Sequence, residues 1–420
     1  MDKNYSLDLS NIPKELNILL EIMSENNDSL SSLNNVFFSN IDWELFLQLA
    51  EHHRVIPLIY SKLKKINHKG IPSYVTQTLH KEYKKNTFHM LNFSGEMELV
   101  SKLFTENQIR LLFLKGPVIA FDLYGDISLR TSKDLDILIQ KKDLTKAEML
   151  LLNFGYVREE VSDNFDEWKW MNHHVTFFHP QKKVEIEIHW RLHPPPTKVP
   201  SFNELWNRKR ISPLTSYPVY FFGKEDLFLY LIAHGAKHGW FRLRWLADID
   251  KIIRNGIISE KDNLILRKYQ NQHLGGQAQV LIGQTLLLTS SLLKTPIHEQ
   301  MQPLRVEKRS GKLAQLAIFY IIEKGQVYIK KSKDSCSNYS EFHSLSIKSN
   351  LQNSFIINRY LFSIKSKLQK FIFVIKLLFP SSADVETLRL PKPLYFLYLP
   401  LRPFLWFWRK IRKSDNFIRH

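Results

Sequence analysis

Two carboxylates interrupt an otherwise aliphatic run, Asp134-Leu-Asp-Ile-Leu-Ile139. The pattern predicts a strand, and residues two apart on a strand share one face, about 6–7 Å apart. Carboxylates held side by side repel, and burying them unpaired is costly. A divalent cation removes that cost, and Mg²⁺ favours one or two carboxylates together with phosphate oxygens and water. An amphipathic strand with a solvated face has the same pattern when taken alone, so the surrounding chain has to decide.

A second acidic row lies downstream. Glu185 and Glu187 alternate with Val184, Ile186 and Ile188, and His189 continues the polar side. If this strand lies beside the first, a third carboxylate joins the pair; Glu187 is the expected member and Glu185 the alternative. Two cations held by such a cluster are a known device for in-line phosphoryl displacement. Upstream, the apolar run Leu111–Leu114 ends at Lys115-Gly116-Pro117. Gly lets a backbone approach a phosphate, the start of the helix expected at 118–124 favours an anion, and Lys115 adds a point charge. Arg130 and Lys133 stand just before the carboxylates. They suit triphosphate oxygens, although Arg130 suits a structural clamp on Asp134 or Asp136 equally well. Ser132 is either a phosphate contact or, more simply, a turn residue.

Helical spacing dominates residues 12–105, with a longer helix over 81–107 whose apolar side holds Leu99, Leu103 and Phe104. Further helices are expected at 144–153, 225–238 and 243–254, and strands at 175–178 and 184–190. Pro194-Pro195-Pro196 closes the mixed region, and 331–354, rich in Ser, Lys and Asn, reads as a linker. The single cysteine, Cys336, excludes a disulfide framework and a thiolate zinc site within the chain. No secretory leader or bilayer-length apolar run is present, so a cytoplasmic setting is expected. The net charge of +18 attracts polyanions without choosing among nucleotides, nucleic acid and anionic lipid.

The order of Lys115-Gly116, short helix, Asp134-Leu-Asp136 and later Glu187 resembles the DNA polymerase beta-like nucleotidyltransferase superfamily. More narrowly, the chain resembles a bacterial family, the uncharacterised nucleotidyltransferases. That likeness rests on Trp43–Leu58 (with Ala50, His53, Arg54 and Pro57), on Leu114-Lys-Gly-Pro through Leu123-Tyr-Gly125 to Leu138, on Glu187-Ile-His-Trp-Arg-Leu192, and on His234-Gly-Ala-Lys-His238 with Leu243–Asp248. It spans roughly residues 40–330. The chain departs from the superfamily in reading Gly-Pro at 116–117, in a longer gap to Asp134, and in using Glu as third acid.

The resemblance implies an α+β fold, a small mixed-sheet nucleotidyltransferase core flanked by N-terminal and C-terminal helical regions. The expected divisions are a helical region at 1–107, the core at 108–215, a helical domain at 216–330, and a linker with a basic aromatic tail at 331–420. It implies metal-dependent transfer of a nucleoside monophosphate from an NTP to an acceptor, with Asp134, Asp136 and Glu187 holding Mg²⁺ or Mn²⁺. Members of the family occur near lasso-peptide and polysaccharide biosynthesis genes, so a modified peptide, a sugar phosphate, a protein or an RNA end are the candidate acceptors. It further implies that the helical pair at 225–254 closes the cleft, with Lys237, Arg242 and Arg244 on the triphosphate and Asp248 paired to one of these cations. His234 and His238, four apart, lack the Glu of a His-Glu-x-x-His zinc site and read as core histidines. The tail from 361 mixes Trp406, Phe407 and Trp408 with Arg409, Lys410 and Arg412. Packing on its own domain comes first for that tail, then a protein partner, then an anionic membrane. The competing classes are an inactive binding protein on the same fold and a basic nucleic-acid or membrane scaffold.

Overall fold

The computed structural model describes residues 6–24, 38–65, 70–159, 173–256, 276–302, 308–334, 359–378 and 382–415. The expected linker, together with Cys336, lies almost wholly outside these residues.

Among the described residues, four helices precede the sheet: α1 (Lys14–Met23), α2 (Trp43–His52), α3 (Ile56–Leu63) and α4 (Ser73–Glu106). Asp42 caps α2 by accepting from the Leu45 N–H, and Pro57 sits in the first turn of α3, where its missing N–H costs nothing. The long helix starts eight residues before the expected Lys81. Its buried side is Phe93, Met97, Val100 and Phe104, while Leu99 is exposed. The apolar stripe therefore runs one residue out of phase with the expected one at Leu99.

The sheet follows as β1 (Leu111–Phe113), α5 (Pro117–Tyr124), β2 (Leu135–Ile139), α6 (Leu144–Asn153), β3 (Val157–Arg158), β4 (His174–His179), β5 (Val184–His189), α7 (Phe202–Asn207), β6 (Arg210–Ser212) and β7 (Val219–Phe221). The strand order is β3-β4-β5-β2-β1-β7-β6. β2 runs parallel to β5 and antiparallel to β1, and β7 joins β1 in parallel. The sheet thus continues past Pro194–Pro196 and past residue 215, through two short strands the sequence pattern does not announce. Leu135, Ile137 and Ile139 of β2, with Val184, Ile186 and Ile188 of β5, are fully buried on one face, which leaves the acidic rows on the other.

After β7 come α8 (Lys224–Lys237), α9 (Leu243–Arg254), α10 (Gly276–Leu293) and α11 (Lys308–Asp334). These pack back onto the N-terminal helices: α10 touches α1, and α11 touches α2. One contiguous apolar cluster reaches from Leu16 through the sheet to Tyr360. The tail forms α12 (Lys367–Leu378), α13 (Ser382–Thr387) and α14 (Tyr398–Asp415), with Pro403 inside α14. Phe404, Trp406, Phe407 and Trp408 are exposed, while Leu405 on the same helix is buried. No helix among the described residues is long and apolar enough to cross a membrane.

Candidate active site

Register does the first part of the assembly. Asp136 on β2 lies opposite Glu187 on β5, and Glu187 lies opposite Thr176 on β4. Asp134 stands one residue before β2 begins, on the same side. One oxygen from each of Asp134, Glu185 and Glu187 falls within 4.8 Å of the others, and Asp136, Glu187 and His189 meet the same limit. Both candidates for the third acid therefore share the cluster with Asp134, and Glu187 belongs to both groups.

Asp136 is sealed, at 1% exposure. Lys115 Nζ lies 2.9 Å from its Oδ2, and His189 Nε2 lies 3.3 Å from its Oδ1 and 3.2 Å from Glu187 Oε2. Burial alone would raise the Asp136 carboxyl, but Lys115 and His189 hold it well below the usual range. Asp134 has the opposite balance: burial and then the Asp136 charge push it up, with Glu187 adding to the push against Lys115 and Arg244. That residual repulsion is what a divalent cation relieves. His189 would be pushed down by burial, yet its contacts with Asp136 and Glu187 carry it above the usual histidine range.

The turn before α5 is pinned to β2 by the Leu114 N–H donating to the Asp136 carbonyl at 2.9 Å. Gly116 has φ +94°, and a Cβ there would sit 3.3 Å from Leu135 Cδ2. Only glycine adopts that backbone readily. Lys115, expected on a phosphate, is instead paired with Asp136.

The segment leading to Asp134 is held from two sides. On α4, Tyr83 bonds the Ser128 hydroxyl at 2.7 Å, Asn86 donates to the Ser128 carbonyl at 2.8 Å, and His89 Nε2 lies 2.9 Å from the Ser132 carbonyl. This row of three went unremarked in the sequence; its signal was polar residues three apart on one helix face. From the other side, Arg130 makes a two-pronged pair with Asp248 of α9, Nε to Oδ1 at 2.9 Å and Nη2 to Oδ2 at 3.0 Å. Both are buried, and Tyr124 also donates to Asp248 at 3.0 Å. Arg130 is thus a clamp, but its partner is Asp248 rather than Asp134 or Asp136, and Asp248 pairs with none of the cations expected for it. Ser132 is a turn residue, its hydroxyl donating to the Asp134 carbonyl at 3.1 Å.

Arg244 is buried and donates to the Thr131 carbonyl and hydroxyl, so it anchors the same segment instead of facing a triphosphate. Burial, Arg130 and Arg54 push its guanidinium down to about 9. Arg242 donates to the His52 carbonyl at 2.7 Å. Lys237 is exposed, and its ammonium is pushed down by local desolvation and Lys115 while Glu187 and Asp136 pull the other way. Lys133 is exposed. Lys133 and Arg242 line a cavity of ≈ 440 Å³ with Arg54, Lys85, Asn86 and His89, and Glu51 and Glu82 also face it. The Arg54 side chain there feels the Asp134 charge. His234 and His238 pack on Trp245, ring centres 5.4 and 5.3 Å apart, as core histidines do.

The family model described as uncharacterised nucleotidyltransferase matches residues 39–290, more than half of the chain. No curated protein matches. Among solved structures, an antigenic nucleotidyltransferase-like protein from Paracoccidioides brasiliensis is similar at 13% identity, over 43% of this chain and 88% of that one, with a TM-score of 0.27.

Proposed function

The chain belongs to the uncharacterised nucleotidyltransferase family, and from that premise we propose that it moves a nucleoside monophosphate from an NTP to an acceptor at the carboxylates of β2 and β5. The observation that carries this reading is the parallel register that sets Asp136 beside Glu187, with Asp134 and Glu185 on the same face.

The donor set fits a hard divalent cation. It is all oxygen apart from His189, its members already crowd one another, and Mg²⁺ takes carboxylates at about 2.0–2.1 Å with phosphates and water completing the shell. Asp134, Asp136 and Glu187 would hold it. When bound, Mg²⁺ or Mn²⁺ supplies charge neutralisation on the α-phosphate and on the departing pyrophosphate. The chain's own groups do the rest. An acceptor oxygen attacks the α-phosphorus, the bond to pyrophosphate breaks, and Glu185 is the remaining carboxylate among the described residues of this face to take the acceptor's proton. Gly116 lets the backbone approach the phosphates at the start of α5, where first-turn N–H groups lack helical partners. With its charge on Asp136 replaced, Lys115 would be able to turn to the β- and γ-phosphates, and Lys237 on α8 would add a second cation to them.

The cavity beside Asp134 is where we place the acceptor. Arg54, Lys85, Lys133 and Arg242 outnumber Glu51 and Glu82 there. That balance favours an acceptor carrying phosphate, such as a sugar phosphate or an RNA end, over a neutral peptide.

The test is calorimetric titration of each of the four NTPs with and without Mg²⁺, on the native chain and an Asp134→Ala/Asp136→Ala double variant. Mg²⁺-dependent binding that the variant loses supports the reading. A folded native chain that binds no NTP overturns it.

A further inference from the structure

Beside the carboxylates lies a histidine cluster that meets the oxygen site only through His189. His174 on β4 is the register partner of His189 on β5, so the two rings stand cross-strand on one face. His173 precedes them and its ring turns against both. Ring centres are 4.7 Å apart for His173 and His174, 5.0 Å for His174 and His189, and 5.8 Å for His173 and His189. One nitrogen from each falls within 4.8 Å of the other two.

The tautomer of His189 is fixed by its surroundings. Its Nε2 faces Glu187 Oε2 at 3.2 Å and Asp136 Oδ1 at 3.3 Å. Ionised carboxylates only accept, so Nε2 carries the hydrogen. The lone pair of the neutral ring then sits on Nδ1. That atom is buried without a hydrogen-bond partner, and so is Nδ1 of His174. His189 itself is 6% exposed. A histidine that donates one N–H to a carboxylate and leaves its other nitrogen bare is the arrangement that orients metal-binding imidazoles.

We propose that His173, His174 and His189 form a second metal site, for a late first-row divalent ion of the Zn²⁺ type, distinct from the oxygen site of Asp134, Asp136 and Glu187. Imidazole selects such ions, whereas Mg²⁺ prefers oxygen. The dimensions agree. Zn–N bonds of about 2.0–2.1 Å at tetrahedral angles need nitrogens about 3.4 Å apart and ring centres about 5 Å apart. The observed rings are already at that spacing, so side-chain rotation alone brings the nitrogens together. Three protein donors leave the fourth position open for water or a ligand atom. The charge of the ion is balanced through His189 by Asp136 and Glu187, against Lys237, whose charge reaches His173 and His174. His189 thereby becomes the link between the two sites.

Cobalt reports this site directly. The full chain is stripped of metal, supplied with excess Mg²⁺ to fill the oxygen site, and titrated with Co²⁺ while the visible spectrum is recorded. The expected result is one equivalent of tetrahedral cobalt absorption, displaced by Zn²⁺ and lost in His173→Ala, His174→Ala and the milder His174→Gln. Mg²⁺-dependent NTP binding by the same folded variants separates this outcome from failure of the transferase reading. Absence of a tetrahedral signal in the native chain, or a signal that all three variants keep, overturns the proposal.

Discussion

Asp248→Ala removes the acceptor of a buried two-pronged pair and leaves the Arg130 guanidinium, 2% exposed, inside the protein without its counter-charge. Breaking such a pair from one side costs about 3–5 kcal/mol. Tyr124 also loses the oxygen it donates to, which adds about 1 kcal/mol. The sum, about 4–6 kcal/mol, is a large part of a typical total stability of about 5–15 kcal/mol. An unfolding entropy of about 2.1 cal/mol/K per residue gives about 1.1 °C per kcal/mol for a 420-residue chain, so Tm should fall by about 5–7 °C. Urea unfolding followed by circular dichroism measures the loss. The same pair fixes the segment entering Asp134, so Mg²⁺-dependent nucleotide binding should weaken with it. Arg130→Met/Asp248→Leu removes both charges and should recover much of the loss, because apolar replacement of a buried pair is often close to neutral. A single variant within about 1 kcal/mol of native would refute the argument. So would a double variant no better than the sum of its singles.

Two further predictions rest on the same architecture. Gly116→Ala forces a side chain into a backbone conformation that glycine alone adopts readily, and should cost about 1–3 kcal/mol together with NTP affinity, measured by urea unfolding and calorimetry; native-like behaviour in both would count against the turn's role. Acid should destabilise the fold through histidines buried as neutral rings. Burial and then Lys237 hold His193 and His238 down at about 4, and burial with His52 and Arg242 holds His53 well below its usual value. The unfolded chain takes up these protons below about pH 6.5 and the folded one resists. Stability is therefore full above that pH and declines towards pH 4, by up to about 1.4 kcal/mol per unit for each ring fully titrating in one state only. Urea midpoints that stay flat from pH 7.5 to 4.5 would contradict this.

How far the sequence could be read depended on the range of the interaction. Asp134 and Asp136 stood out because charge breaks an aliphatic run, and Glu187 because it alternates with Val184, Ile186 and Ile188; both signals are local. The core helices and β2, β4 and β5 followed from periods of 3.6 and 2. β6 and β7 did not, since three residues are too few to display a period. Arg130 was legible equally as a phosphate contact and as a clamp on Asp134 or Asp136, but not as the partner of Asp248, which lies 118 positions away. Several acids and cations were available, and local sequence does not say which pair will meet. Lys115 shows the same limit, because its distance to Asp136 is set by the packing of β1 against β2. The exposure of Trp406, Phe407 and Trp408 was unreadable for a related reason: composition says what a helix contains, while neighbours decide what it covers.

The strand order also governs how this molecule comes into being. β1 lies between β2 and β7, and its second neighbour is contributed by residues 219–221, far along the chain from Phe113. While the chain emerges from a ribosome, β1 and β2 can pair early, but the other edge of β1 waits until β7 arrives. During that interval Leu111-Leu-Phe113, fully buried in the finished protein, presents unsatisfied backbone and apolar side chains. Such an edge is a template for mispairing and aggregation. Nascent chains halted before Val219 should therefore be retained by chaperones or precipitate, and resistance to protease should appear only once β7 and the helices behind it, with the Asp248 partner of Arg130, have also emerged.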